Sequence, residues 1–272
     1  MMTDLIKWIV ILGTAAVSYR GFKDHFFFEK YEFGVDKVRL YRDYKRLVTS
    51  GFLHVNWMHL IFNMLGLVFF ADSLIIMLTP LGFLLVYFAS MVGGNLLSLI
   101  LYKNQGDYTS VGASGAVNGA IFATIALEPG IRIMFLPGWL FGLIYIAITI
   151  YGVRSKRDNI GHEAHLGGAM IGMLAAIALQ PAALLENYIT ILIIAVPTLV
   201  FIYLIITRPH ILLIDNLFFN MHRNHYSVDH KYNEHKFTQQ QEIDRILDKI
   251  NKRGINSLSQ KEKQMLKEYS KK

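Results

Sequence analysis

The sequence predicts an all-α polytopic membrane protein, on two observations. Of its 272 residues, 53% are hydrophobic. Apolar stretches long enough to cross a bilayer recur through most of the chain. Such stretches must be helical, because hydrocarbon leaves backbone N–H and C=O groups no water to bond. The absence of cysteine excludes disulfides, cysteine-ligated zinc and thiol catalysis. The net charge of +7 sits in the loops and the tail, which suits anionic lipid headgroups. No basic, aromatic-studded soluble domain is present, so nucleic acid is not an expected partner.

The spans read as 5–19, 57–78, 80–102, 114–128, 132–151, 164–180 and 188–207. The first is short, and Lys7 within it is expected to snorkel to an interface. Its flanks do not match a cleaved signal peptide. Residues 20–56 form a long polar connection with eight basic and five acidic side chains between Arg20 and Arg46; loops of that length are commonly functional. Thr79-Pro80 makes a tight turn between the second and third spans.

Beyond Pro209, residues 211–221 suit a segment lying along the membrane surface. A linker with His222, His225, His230 and His235 follows, read as solvated rather than metal-binding because no carboxylate accompanies a helical histidine pair. The tail predicts a helical hairpin: Ile243, Ile246, Leu247 and Ile250 share a face, Gly254 stands at a C-cap, and Ser259 with Glu262 forms a capping box. The apolar stripe is a packing face, and a protein partner is the contact expected for this tail. The expected division is a core over 1–183, an additional helix over 184–208 and the tail over 209–272.

Polar side chains inside spans are costly and therefore informative. Three clusters occur: His54, His59 and Asn63 in HVNWMHLIFNM; Ser114 in VGASG; and His162, Glu163 and His165 in HEAHLGG. Taken singly, each reads as structural. His59 and Asn63 share a helix face, and the Gly115/Gly119 and Gly168/Gly172 spacings suit close helix crossing. Topology changes that reading. The second, fourth and sixth spans run in the same direction, so all three clusters meet at one end.

Together they form a chemical set. A serine hydroxyl becomes a nucleophile when a base is within hydrogen-bond reach, and neutral imidazole is the usual one near neutral pH. His59 and Asn63 can donate to an oxyanion, as can the Ser114 N–H at its helix start. Gly112 and Gly115 permit close backbone approach. No carboxylate is evident to orient the base; Asp72 lies toward the wrong end of its span, and Glu163 is a candidate neighbour of His165. The set calls for no metal and no cofactor.

These residues resemble those of the rhomboid intramembrane serine proteases, over about residues 1–180. His54 to Asn63 matches H-x4-H-x3-N, Gly112-Ala113-Ser114-Gly115 matches G-x-S-G, and Ala164 to Gly168 matches A-H-x-G-G. The resemblance implies a six-helix bundle with 188–207 as a seventh span. It implies Ser114 as nucleophile, His165 as general base, and His59, Asn63 and the Ser114 N–H as the oxyanion site. His54, Gly112, Gly115, Asn118 and Gly168 would support them. Arg46 matches the arginine of a Trp-Arg pair in the first loop, with Lys45 in place of the tryptophan. Asn118 stands where many members stack an aromatic ring on the histidine.

The implied partners are transmembrane protein substrates within the lipid bilayer, cut where helix-breaking residues let the chain unwind. A catalytically inactive relative that binds membrane helices is the alternative. A transporter with a polar pathway is a third reading; no internal repeat supports it. The family places the site on the extracytoplasmic side of a bacterial inner membrane. Seven spans then put the basic tail outside as well, whereas the positive-inside rule favours the reverse.

Overall fold

The computed structural model describes residues 2–155, 160–208, 243, 245–247, 249–250 and 257–269. Helix α1 (Met2–Lys23) leads through two short helices, α2 (His25–Tyr31) and α3 (Val35–Arg39), to a single turn, α4 (Arg46–Thr49). The long helix α5 (Trp57–Leu101) is two antiparallel spans joined at one residue. Thr79 takes φ 71°, ψ 165°, which breaks the first span, and Pro80 starts the second, where its missing N–H has no helical acceptor to lose. Helices α6 (Ser114–Leu127), α7 (Gly138–Ser155), α8 (His162–Leu179), α9 (Ala182–Glu186) and α10 (Tyr188–Thr207) complete the membrane region.

Counted at the break, seven apolar segments agree with the seven predicted spans, and the chain is an all-α polytopic membrane protein. Among the described residues, five helices are long and apolar enough to cross a membrane; α6 falls below that length. The fifth span is corrected. Residues Arg132–Pro137 form a two-stranded hairpin, with Met134 and Phe135 at its tip, and the helix starts only at Gly138. Lys7 is also corrected. It does not snorkel; it is buried and donates to Asp72 at 2.5 and 2.6 Å, pinning α1 to α5. An ammonium in a low-dielectric bundle is far better paired than alone.

The core is held by α5, α6 and α8, whose backbones meet through glycine. A Cβ on Gly168 would overlap the Gly115 backbone, one on Gly172 the Gly119 backbone, and one on Gly119 the Ser90 side chain. A Cβ on Gly94 would meet the Ala164 carbonyl, while Gly82 lies by Leu179, so the second half of α5 runs antiparallel to α8. Because hydrocarbon supplies no driving force between helices, such close contact is the main source of association.

The direction of α10 follows from its packing on α7. Gly142 lies by Ile194, each within the first two turns of its helix, so α7 and α10 run parallel. The starts of α6 and α8 therefore share a face with the end of α10 at Thr207.

In the tail, Gln260–Tyr269 is helical and its capping box is formed: Ser259 Oγ accepts from the Glu262 N–H at 3.2 Å, and Glu262 accepts from the Ser259 N–H at 2.7 Å. Lys249 donates to Glu262 at 2.8 and 2.9 Å, and this pairing holds the carboxyl down to about 2. Ile243 and Ile246 are buried, whereas Leu247 is exposed. The predicted surface segment, the histidine linker and Gly254 lie outside the described residues.

Candidate active site

The three predicted clusters converge at one end of the bundle. Asn56 caps α5 by accepting from the His59 N–H at 2.9 Å, which starts the helix so that His59 and Asn63 face inward one turn apart. His54 precedes that cap, outside any helix, and is fully buried. Its Nε2 accepts from the Ala113 N–H at 3.2 Å, and its Nδ1 lies 2.9 Å from Ser18 Oγ, which donates to the Phe52 carbonyl at 2.8 Å. An acceptor Nε2 requires the proton on Nδ1, so this imidazole is neutral and used at both nitrogens. Burial, with the neighbouring His59, pushes it down to about 3. His54 thus clamps the residue immediately before Ser114.

The segment ahead of α6 is held from several directions. Thr109 and Ser110 pair antiparallel with Gly34 and Phe33, and the Gly112 N–H donates to the Ser50 carbonyl at 3.0 Å. Gly112 has φ +132°, a conformation that a side chain rarely adopts. The position its Cβ would occupy lies 2.8 Å from His59 Nε2 and 3.7 Å from Ser114 Oγ. The missing methyl therefore leaves a gap bordered by both groups. The Asn63 amide is buried and donates to the His59 carbonyl at 2.9 Å, with a second amide hydrogen still to give.

The long first loop is the scaffold for this segment. Arg46 is buried and donates to the Glu29 and Glu32 carbonyls at 2.8 and 2.7 Å and to Asp43 at 2.9 Å, tying the loop to itself. Asn95 on α5 donates to the Leu47 carbonyl and to Ser50 Oγ, tying it to the bundle. Lys45, at the tryptophan position, is exposed and near Asp43.

Ser114 opens α6 and His165 sits in the first turn of α8; both are half-buried. The two helix starts touch through their neighbours. A Cβ on Gly115 would lie 3.4 Å from the Ala164 carbonyl, and one on Gly168 would overlap Gly115. The Gly115–Gly168 contact thus sets the spacing of α6 and α8 at the level of serine and histidine.

Glu163 does not turn toward His165. It is buried and accepts from the Tyr108 hydroxyl at 2.5 Å, with Tyr102 stacked on Tyr108 at 3.8 Å between ring centroids. Burial and this carboxylate push both tyrosines up. Asp72 is committed to Lys7. Among the groups that meet the histidine ring is one that sequence reasoning missed, the Tyr145 hydroxyl on α7, 3.3 Å from His165 Nδ1. Only its place on an apolar helix facing α8 marks it, and no spacing rule ties it to Ser114. Among the described residues no cluster could hold a metal ion.

A rhomboid domain model matches residues 41–182, which include every residue of this cluster but Ser18, Glu29, Glu32, Phe33 and Gly34. A second model, a family of unknown function (DUF6576), matches residues 226–272. The chain is 30% identical over 193 residues to the mitochondrial RHOMBOID-like protein 12 of Arabidopsis thaliana, covering 63% of this chain and 57% of that protein. It is 34% identical over 134 residues to the rhomboid protease GluP of Bacillus subtilis, covering 49% and 26% respectively. It is 40% identical over 134 residues to the putative rhomboid protease YdcA of Bacillus subtilis, covering 47% and 64%. The chain thus spans less than two thirds of the length of each of these relatives.

Proposed function

The chain belongs to the rhomboid family, and from that premise we propose that it is an intramembrane serine endopeptidase that cuts other membrane proteins in or near their transmembrane helices. What supports this reading is the backbone contact of α6 and α8, one residue after Ser114 and one before His165. In this reading Ser114 Oγ attacks the scissile carbonyl as its proton passes to His165. The oxyanion is met by the Ser114 N–H, free at a helix start, with His59 and Asn63 beside it. The tetrahedral adduct then expels the amine, which takes the proton from His165, and a water activated by His165 releases the acyl group. A hydrogen-bonded helix shields its peptide carbonyls, so substrates are spans that unwind easily at one end.

The division into a core over 1–183, an additional span over 184–208 and a tail over 209–272 belongs to the same proposal. So does a site facing the extracytoplasmic side of a bacterial inner membrane. Since α10 ends on the site's own face, a reporter joined directly after α10 reads out that orientation.

The test of the chemistry uses the purified full chain with a model transmembrane substrate. Ser114→Ala and His165→Ala are each expected to abolish cleavage, a loss of about four orders of magnitude or more. Cleavage that survives in both variants sinks the dyad. A wild type that neither cleaves nor reacts with a fluorophosphonate favours the alternative, an inactive relative that binds membrane helices.

A further inference from the structure

Beside the proposed nucleophile and base stand two residues that the dyad does not itself require. Asn118, one turn after Ser114, is buried, and its amide donates to the Ser114 carbonyl at 2.8 Å. The Tyr145 hydroxyl belongs to a ring that packs against Phe122, one turn further along the same helix, at 5.8 Å between centroids. That hydroxyl lies 3.3 Å from His165 Nδ1. Asn118 Oδ1 is buried with no hydrogen-bond partner. Asn118 thus touches the nucleophile's backbone on α6, and Tyr145 on α7 touches the base on α8.

The tautomer of His165 gives this pair its meaning. A neutral imidazole carries one proton, and a general base must present a bare nitrogen to the serine. Nδ1 is occupied by Tyr145, which leaves Nε2 for Ser114. The proton then belongs on Nδ1 and needs an acceptor. A carboxylate usually fills that role, but Glu163 is committed to Tyr108 and Asp72 to Lys7.

We infer that Tyr145 and Asn118 are positioning residues for the dyad. The Tyr145 oxygen accepts the His165 Nδ1–H, which keeps Nε2 bare toward Ser114, and Asn118 holds that hydroxyl from the nucleophile's own helix. Once the phenol oxygen receives Nδ1–H, the phenol's own hydrogen turns to the otherwise unpartnered Asn118 Oδ1. The arrangement matters most as His165 becomes an imidazolium, because a charged donor strengthens the Nδ1–H···O bond when the barrier is crossed. The inference rests on the protease reading above.

The experiment measures kcat and KM separately on the purified full chain, for Tyr145→Phe, Tyr145→Gln and Asn118→Ala. Tyr145→Phe is expected to lower kcat about 10- to 100-fold, the size of effect seen when a partner that orients a metal-ligating imidazole is removed, with KM and melting temperature unchanged. Tyr145→Gln, a poorer fit but an acceptor, is expected to recover part of that loss. A purely packing role would order the two variants the other way. Asn118→Ala is expected to lower kcat by less. A Ser114-dependent wild type with Tyr145→Phe at full kcat, or with glutamine no better than phenylalanine, overturns this inference and leaves the protease reading standing. A wild type with neither cleavage nor fluorophosphonate labelling overturns both.

Discussion

α6 and α10 are both apolar helices, yet they relate to the bilayer in opposite ways. α6 has 14 residues, and all twelve from Gly115 to Ala126 are buried. α10 has 20 residues, is the more apolar, and buries only Ile191, Ile194, Thr198, Phe201 and Ile205, a single stripe. A helix facing lipid must match the hydrocarbon thickness and be apolar on its exposed side. A helix wrapped in protein is released from both demands. It can be short, open on a serine, and carry an asparagine within its second turn, because little of its surface has to face hydrocarbon. The proposed nucleophile therefore opens the helix that looks least like a membrane span.

The contrast is sharpest at the α6–α8 contact. Gly168→Val would drive two branches into the Gly115 backbone, which cannot yield as a side chain end can. The expected loss is more than about 3 kcal/mol, at the upper end for overpacking, seen as failure to recover folded protein in detergent. A Gly168→Val protein of wild-type melting temperature would break the comparison, since α6 would then be no more constrained than α10.

The turn that feeds α6 gives the next effect. His54 is held neutral with its value near 3 against an ordinary 6.5, so the unfolded chain binds the proton that the folded one refuses. Its contribution leaves stability intact above about pH 6.5 and removes it progressively as pH falls toward 3, by up to about 1.4 kcal/mol per pH unit. Melting temperatures of wild type and His54→Gln across that range should converge as the solution is acidified. Parallel curves would show that the clamp on Ala113 carries no such linkage.

The smallest effect belongs to α10. Val196→Ala, on its exposed side, is expected to change stability by less than about 0.5 kcal/mol, the usual range for a substitution away from packed features. A large loss there would mean that the exposed side of α10 is covered.

Much of the fold was legible because hydropathy and helix geometry are local. The spans at 57–78, 80–102 and 188–207 were read within a residue or two, and Pro80 marked the break in α5. The fifth span was misread by six residues, since Arg132–Pro137 is apolar enough to pass for helix but closes as a hairpin. The residues of the candidate site were legible for a different reason: three spans running the same way carry their polar residues at the same end. Their partners were not legible. Lys7 reads as a snorkelling residue until Asp72, 65 positions away, is brought to it. Glu163 reads as a neighbour of His165 until Tyr108 claims it.

The sequence by itself determined that this chain crosses the membrane repeatedly, and that Ser114, His165, His59 and Asn63 gather at one end. Periodicity, span direction and residue chemistry are written along the chain. Only the tertiary structure decided which neighbour each polar group meets: His54 on the Ala113 N–H, Glu163 on Tyr108, and Tyr145 on His165. Those pairings depend on angles and separations between helices of a few ångströms, set by glycine contacts such as Gly115 with Gly168. No local rule carries that information.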